Sequence, residues 1–167
     1  VVLPRRWGEK AGCLVEAVVG TVADLFRDVH QQLRQELQGL DAEALNWKPG
    51  PETNSIAVLV VHLLASEEEI LHVVRGLPSD RQREAEFHAR VEDPADLSRR
   101  IDRADDALAR HAPAITSEDL LAVRPHPRRP ANTGLYWLLV NYGHAREHLA
   151  QLQLTKQLYL QRRAGVG

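Results

Sequence analysis

The sequence predicts an all-α protein built as a four-helix bundle. Four long segments repeat apolar residues every three or four positions, and no segment alternates apolar and polar residues as a half-buried strand would. Aromatic residues make up only 5% of a chain that is 44% hydrophobic, so we expect a core of aliphatic side chains between helices. The 167 residues suit one domain, which we expect to span residues 1–167.

The first two predicted helices form the amino-terminal half. The first covers about residues 11–37, and Gly39 follows it as a stop signal. The second covers about residues 55–75; Asn54 offers an N-cap and Gly76 a stop. Both segments carry an apolar face at helical spacing.

The last two predicted helices form the carboxy-terminal half. The third covers about residues 94–111 and begins after the capping residue Asp93. The fourth covers about residues 133–162, capped by Asn132 or Thr133. The third has the narrowest apolar stripe, whereas the fourth keeps its periodicity over about eight turns.

Two linkers resemble each other. Residues 41–49 and 117–125 both place an acidic residue two positions before a leucine, with a basic residue and a proline after it. Each linker then leads into one of the more apolar helices. The pattern favours a duplicated helix hairpin, in which helices two and four are equivalent and lie side by side; chance similarity is the alternative.

Composition argues against several functions. The 21 basic and 23 acidic residues give a net charge of −2, so no overall field attracts nucleic acid or an anionic membrane. No apolar run is long enough to span a membrane, and the arginines of residues 127–130 fit a solvated loop. The single cysteine, Cys13, fits a reducing cytoplasm and a place in the core.

Histidines provide the chemical signal in this sequence. His144 and His148 are four positions apart in a helix, so both lie on one face and can reach one ion. Alone, this spacing also fits two unrelated histidines. His62 lies at the corresponding edge of helix two, so if helices two and four are equivalent, the three imidazoles can meet in a cleft.

Three imidazoles are typical of a catalytic metal ion, which keeps a position open for water or substrate. Zinc, nickel, iron and manganese all accept imidazole ligands, so the sequence does not choose the divalent metal. His30 is the candidate for a fourth ligand, although a half-exposed edge residue is the simpler interpretation. Asn141, Ser66 and Trp137 lie on the same helix edges and are candidate pocket residues, for which packing is the alternative explanation.

Two segments resemble a known family. Residues 54–63, preceded by Trp47-Lys-Pro49, and residues 142–152 resemble the DinB-like, or YfiT-like, family over about residues 10–160. The resemblance implies an up-down-down-up four-helix bundle, often homodimeric. It also implies a divalent-metal site whose ligands fall on His62, His144 and His148.

The same resemblance suggests a function. Some members of the family are thiol-dependent enzymes, either transferases that use bacillithiol or an isomerase that uses mycothiol. We therefore expect a metal-dependent enzyme such as a low-molecular-weight-thiol S-transferase, with a small-molecule thiol or an electrophilic substrate as partner. A metal-dependent hydrolase, a non-catalytic metal-binding or stress-response protein, and a helical interaction domain are the alternatives. No residue is assigned a catalytic role beyond the metal ligands.

Overall fold

The chain folds almost entirely into helices, and the all-α prediction is confirmed. The computed structural model describes the backbone of residues 5–165 and the side chains of residues 12–165, so residues 1–4 and 166–167 of the predicted domain lie outside the described part. The helices are α1 (Arg5–Leu37), α2 (Ala42–Asn46), α3 (Ile56–Val74), α4 (Arg83–Glu86), α5 (Ala95–His111), α6 (Ser117–Leu121) and α7 (Gly134–Arg163). A short 3₁₀ turn covers Ala112–Ala114, and two strands, β1 (Val123–His126) and β2 (Arg129–Thr133), precede α7.

The four long helices α1, α3, α5 and α7 enclose one aliphatic core. Helix α3 is the most deeply buried and packs against both α7 and α5, while α1 packs against α7 and α5 from the other side. The largest fully buried side chains are Phe26, Leu33, Leu45, Ile56, Leu63, Leu71, Leu97, Ile101, Leu108, Trp137, Leu138 and Leu149. Burial of this apolar surface supplies the main driving force for folding.

Polar pairs between helices fix their relative directions. The pairs are Gln32–Arg146 and Glu36–Lys156 between α1 and α7, His62–His144 and Ser66–Asn141 between α3 and α7, and His30–Asp105 and Arg34–Asp102 between α1 and α5. From one contact to the next, the residue numbers increase in both α1 and α7. For α3 with α7 and for α1 with α5, they increase in one helix while they decrease in the other. Helices α1 and α7 therefore run in one direction, and α3 and α5 run in the other.

Hydroxyl side chains cap the two helices that carry the histidines. The Ser55 hydroxyl accepts a hydrogen bond from the Val58 amide at 3.2 Å, and the Thr133 hydroxyl accepts one from the Tyr136 amide at 3.3 Å. The predicted Asn54 cap is therefore one residue early. Each cap satisfies an amide that has no partner in the first turn of its helix.

A two-stranded hairpin before α7 corrects the expectation that the chain has no strands. Strands β1 and β2 pair antiparallel, with Val123 opposite Thr133 and His126 opposite Arg129. The strands are short and rich in proline, so they lack the apolar alternation that predicts a strand. Contacts from elsewhere hold the hairpin in place: the Arg124 guanidinium donates to the Val74 carbonyl at 3.1 Å.

The order of elements agrees with the duplicated-hairpin hypothesis. A five-residue helix precedes each buried long helix, α2 before α3 and α6 before α7. Helices α3 and α7 lie side by side, as equivalent helices of two halves would. The second half differs from the first by the inserted β-hairpin.

Cys13 is exposed, so its predicted place in the core was wrong. The apolar run around it lies on a part of α1 whose buried core residues begin only at Val19, and its neighbour Leu14 is 66% exposed. The apolar periodicity of α1 extends toward its amino-terminal end beyond the part that packs against other helices, so apolar spacing alone predicted burial where there is none. Within residues 5–165, none of the helices combines the length and apolar character needed to cross a membrane.

Replacing Gly134 by alanine should destabilise the fold. Gly134 is the first residue of α7, and an added Cβ would overlap the Asp119 carbonyl oxygen, which is backbone and cannot rotate away. We expect Gly134→Ala to lower the free energy of unfolding by about 1–3 kcal/mol, measured by urea denaturation. Gly20→Ala is the control, since a Cβ there has no neighbour within 4 Å and alanine favours the helix. Equal stability of the two variants would contradict the overlap.

Candidate metal centre

The structure brings the three predicted histidines together at the interface of α3 and α7. His62 lies in the second turn of α3, while His144 and His148 lie one turn apart on α7. Because the two helices run in opposite directions and pack closely, the edge of α3 that carries His62 faces the edge of α7 that carries the pair. His62 is buried, and His144 and His148 are half-buried.

The imidazole rings of these residues, the histidine triad, converge on a common point. One ligand atom from each residue lies within 4.8 Å of the others. Ring centroids are 4.3 Å apart for His144 and His148, 5.0 Å for His62 and His148, and 5.2 Å for His62 and His144. The Nε2 atoms of His144 and His148 are 3.0 Å apart, so two potential metal-ligating atoms lie at one point.

Two of the three rings have an acceptor on their opposite nitrogen. His62 Nδ1 lies 2.7 Å from Glu86 Oε2, and His148 Nδ1 lies 2.9 Å from Gln151 Oε1. When Nδ1–H donates to such an acceptor, the lone pair of Nε2 is directed to the opposite side. This arrangement is typical of metal-ligating histidines, whose second nitrogen is held by a carboxylate or amide oxygen.

Glu86 is held in turn by Arg81. Arg81 Nε donates to Glu86 Oε1 at 2.6 Å, and Arg81 Nη1 donates to Glu69 Oε2 at 2.7 Å. The Arg81 side chain is only 7% exposed, so these charge-assisted hydrogen bonds lie largely away from water. Although burial raises the pKa of Glu86, the hydrogen bonds of Arg81 and His62 outweigh it, so the net pKa is lowered and the carboxylate stays ionised.

Burial keeps the pair on α7 neutral. It lowers the pKa of His144 from 6.5 to about 3, and the neighbouring His148 and His62 add to the effect. It also lowers the pKa of His148, although the hydrogen bond with Gln151 partly offsets the shift. Neutral imidazole is the form that ligates metals, so the surroundings favour the ligating form of both rings.

A cavity of about 280 Å³ opens beside the triad. Its wall includes all three predicted pocket residues, which are Ser66, Trp137 and Asn141. Asn141 Nδ2 donates a hydrogen bond to Ser66 Oγ at 2.9 Å. The Trp137 ring stacks on His126 with centroids 4.8 Å apart. Asn141 and Trp137 are also well buried, so packing accounts for part of their position.

His30, the candidate fourth ligand, lies outside the triad. It is fully buried, and both ring nitrogens face carboxylates: Nε2 lies 2.8 Å from Glu67 Oε2, and Nδ1 lies 2.7 Å from Asp105 Oδ1. A ring held in this way on both sides has no lone pair to offer a metal ion. The sequence placed His30 on the margin of the apolar face of α1, but it gave no sign of these partners on α3 and α5.

The sequence analysis did not identify several residues that lie near the triad. Glu86, Arg81 and His126 lie in loops or short elements whose position depends on tertiary contacts, and Arg128 and Arg129 were interpreted as a solvated loop. Only Gln151 could have been found, because it lies three residues after His148 in the same helix and so shares its face.

Loss of the Glu86 carboxylate should weaken metal binding at the triad. Glu86→Gln keeps the shape of the side chain but removes the charge that faces His62 Nδ1, and loss of such a partner typically costs roughly 10–100-fold in affinity. Competition with a chelator of known affinity measures the change. Glu84→Gln is the control, because Glu84 lies in the same helix, is 87% exposed and pairs only with Arg83. Equal affinities for the two variants would contradict the role of Glu86.

Fold and site together define a helical-bundle protein with three histidines clustered between two antiparallel helices. The sequence profile of the DinB superfamily matches residues 25–152 of the chain. The chain therefore belongs to the DinB superfamily.

Two individual proteins resemble the chain at low sequence identity. The uncharacterized protein YuaE of Bacillus subtilis (strain 168) is 24% identical, and the match covers 80% of this chain and 96% of YuaE. The crystal structure of a conserved protein from Enterococcus faecalis superposes with a TM-score of 0.71 at 16% identity, covering 83% of this chain and 95% of that one. The second match shows a shared fold.

Proposed function

We propose that the chain binds one divalent metal ion through His62, His144 and His148 and uses it in an enzymatic reaction on a small molecule. The reaction we favour is that of a low-molecular-weight-thiol S-transferase, in which the thiol sulfur forms a C–S bond with the electrophile, the bond from that carbon to its leaving group breaks, and the thiol proton is released with the leaving group. The observation that carries the proposal is the convergence of three ring nitrogens, two of which have an acceptor on the opposite nitrogen.

The donor set fits a divalent ion of borderline hardness. Imidazole suits zinc, nickel and iron alike, and the lowered pKa values of His144 and His148 keep two of the three rings in the ligating form. A divalent ion held there would supply Lewis acidity, lowering the pKa of a thiol or a water molecule and polarising a substrate oxygen.

Two features favour an enzyme over a metal store. Among the residues that the structure describes, no fourth histidine, cysteine or carboxylate joins the triad. Structural zinc sites usually have four protein ligands, whereas catalytic sites leave a position for water or substrate. The cavity beside His62 and His144 offers space for such a ligand.

The residues of the cavity wall would bind and orient the substrate. Asn141 presents a buried Oδ1 to which no group of the described chain donates, while its Nδ2 is held by Ser66. A small rotation of the Asn141 side chain toward the cavity would expose this oxygen to an S–H or N–H donor of the substrate. The indole of Trp137 shields one side of the cavity and would limit the access of water to an activated thiol.

A turnover assay tests the proposed reaction. Untagged protein loaded with zinc, nickel, iron or manganese is given bacillithiol, mycothiol or a simple thiol together with a chromogenic aryl halide, and in parallel a panel of chromogenic esters. We expect metal-dependent loss of the thiol and formation of the thioether, with none in metal-free protein or in His148→Ala. Ester cleavage without thioether formation would favour a hydrolase instead. No turnover with any metal, thiol or ester would contradict an enzymatic role.

A further inference from the structure

The cavity beside the triad is strongly cationic. Four guanidinium groups, those of Arg81, Arg83, Arg128 and Arg129, line it together with a single carboxylate, that of Glu69. Concave surfaces of one charge sign concentrate counter-ions of the opposite sign. Three neutral imidazoles would leave the charge of a divalent ion uncompensated, which would add to this excess.

Two of these arginines are already occupied by the fold. Arg81 Nη1 and Arg128 Nη2 each donate to Glu69 Oε2 at 2.7 Å, and Arg81 also holds Glu86. The single charge of Glu69 is therefore shared between two guanidiniums. These contacts position the turn between β1 and β2 over the cavity. They explain the presence of Arg81 and Arg128 there without any bound ligand.

The other two arginines have little to neutralise them. The Arg129 side chain makes no hydrogen bond or ion pair with any other residue in the described part of the chain. Arg83 pairs only with Glu84 at 3.0 Å, and Glu84 is 87% exposed, so this pair contributes little. The guanidinium of Arg83 is nevertheless oriented, because it lies 4.7 Å above the ring of Phe87, which itself lies 4.9 Å from the His62 ring.

We propose that Arg83 and Arg129 bind an oxyanion group of the substrate, so that the cavity takes a small organic carboxylate or phosphate beside the triad. This assignment rests on the proposed function for its link to catalysis, although the oxyanion site itself needs no metal. A guanidinium offers two parallel N–H donors that match a carboxylate or phosphate. A volume of about 280 Å³ admits a small metabolite rather than a peptide.

Titration calorimetry of untagged, metal-free protein tests the proposal with defined probes. The probes are succinate, glycerol phosphate and the neutral amide succinamide, which matches succinate in shape but carries no charge. We expect saturable one-to-one binding of at least one anionic probe and none of succinamide. A preference between the two anions then distinguishes a carboxylate from a phosphate substrate.

Variants locate the bound anion. Arg129→Gln should weaken binding about 10-fold, the effect of losing one hydrogen bond to a charged group, and Arg83→Gln should do the same. Arg27→Gln is the matched control, because Arg27 is an exposed arginine on α1 that pairs only with Asp24. Absence of anion binding, equal binding of succinamide, or an equal loss in Arg27→Gln would overturn the assignment.

Repeating the anion titration with added zinc distinguishes failure of the oxyanion site from failure of the metal site. Adding zinc to wild-type protein should tighten anion binding if the triad holds the ion beside the arginines. If the anion binds at Arg83 and Arg129 but zinc neither binds nor changes the affinity, the metal site fails and the oxyanion site stands. If zinc binds at the triad but no anionic probe binds with or without it, the oxyanion site fails and the metal site stands.

Discussion

His148→Ala should abolish stoichiometric metal binding. The substitution removes one of the three converging nitrogens and leaves the Nε2 of His144 without the neighbour that lies 3.0 Å away. Loss of a direct ligand should cost more than the roughly 10–100-fold typical of an outer hydrogen-bond partner, so we expect at least about 100-fold weaker binding. Isothermal titration of untagged protein with zinc measures this loss.

A second readout checks that the variant is still folded. Metal that binds only the folded state stabilises the wild-type protein by RT ln(1 + c/Kd), where c is the free metal concentration, so the melting temperature of the wild type rises with the metal concentration. His148→Ala should melt as a single transition that zinc does not shift. His88→Ala is the control, because His88 is exposed and lies outside the triad, and it should respond to zinc as the wild type does. A zinc-dependent shift of normal size in His148→Ala would contradict the assignment of this ligand.

His30→Leu should be the most destabilising of the single substitutions. His30 is fully buried between the carboxylates of Glu67 and Asp105, and its removal leaves Glu67, itself buried, without its cationic partner. Breaking a buried ion pair in this way typically costs about 3–5 kcal/mol. Urea denaturation of metal-free protein measures the free energy of unfolding.

A double variant distinguishes charge from packing. His30→Leu combined with Glu67→Leu removes both partners and leaves no buried carboxylate at this position, so it should recover a large part of the stability lost in the single variant. If the double variant were as unstable as the sum of the two single variants, loss of shape would explain the result and the charge pairing would not.

The same cluster gives a pH dependence with a defined sign. Burial lowers the pKa of His30, but hydrogen bonds to Glu67 and Asp105 outweigh it, so the net pKa lies above 6.5. Burial also raises the pKa of Glu67 above 4.5 in spite of the hydrogen bond to His30. Stabilisation by a raised pKa is complete below the unfolded value and is lost as pH rises through the folded value. Because both pKa values are raised, the free energy of unfolding of the wild type relative to the double variant should fall as pH rises above 4.5, through Glu67, and fall further as pH rises above 6.5, through His30.

The sequence was most informative where chemistry follows helical geometry. Residues four apart on one helix must share a face, so the relation between His144 and His148 could be known without coordinates. His62 required a further hypothesis, that helices two and four are equivalent, and the side-by-side packing of α3 and α7 agrees with it. Helical periodicity was sufficient for the all-α class, since the apolar spacing extended over whole segments.

The surroundings of the triad could not be predicted in this way. Glu86 belongs to a four-residue helix in a connection between α3 and α5, and Arg129 begins a strand that no alternation announces. Their positions depend on contacts such as that of Arg81, in the connection after α3, with Glu69 on α3, twelve residues earlier in the sequence. His30 shows the same limit, because its two carboxylate partners belong to helices that the sequence pattern of α1 does not describe.

X-ray absorption at the metal edge of untagged, zinc-loaded protein tests the central claim most directly. Multiple scattering from imidazole rings counts histidine ligands at the ion itself, and elemental analysis of the same sample gives its stoichiometry. We expect one zinc per chain with three imidazole ligands and one exchangeable ligand that is not an imidazole, falling to two imidazoles or to no bound zinc in His148→Ala. Zinc bound with one imidazole or none, or a wild-type spectrum unchanged in His148→Ala, would contradict a metal centre built from His62, His144 and His148.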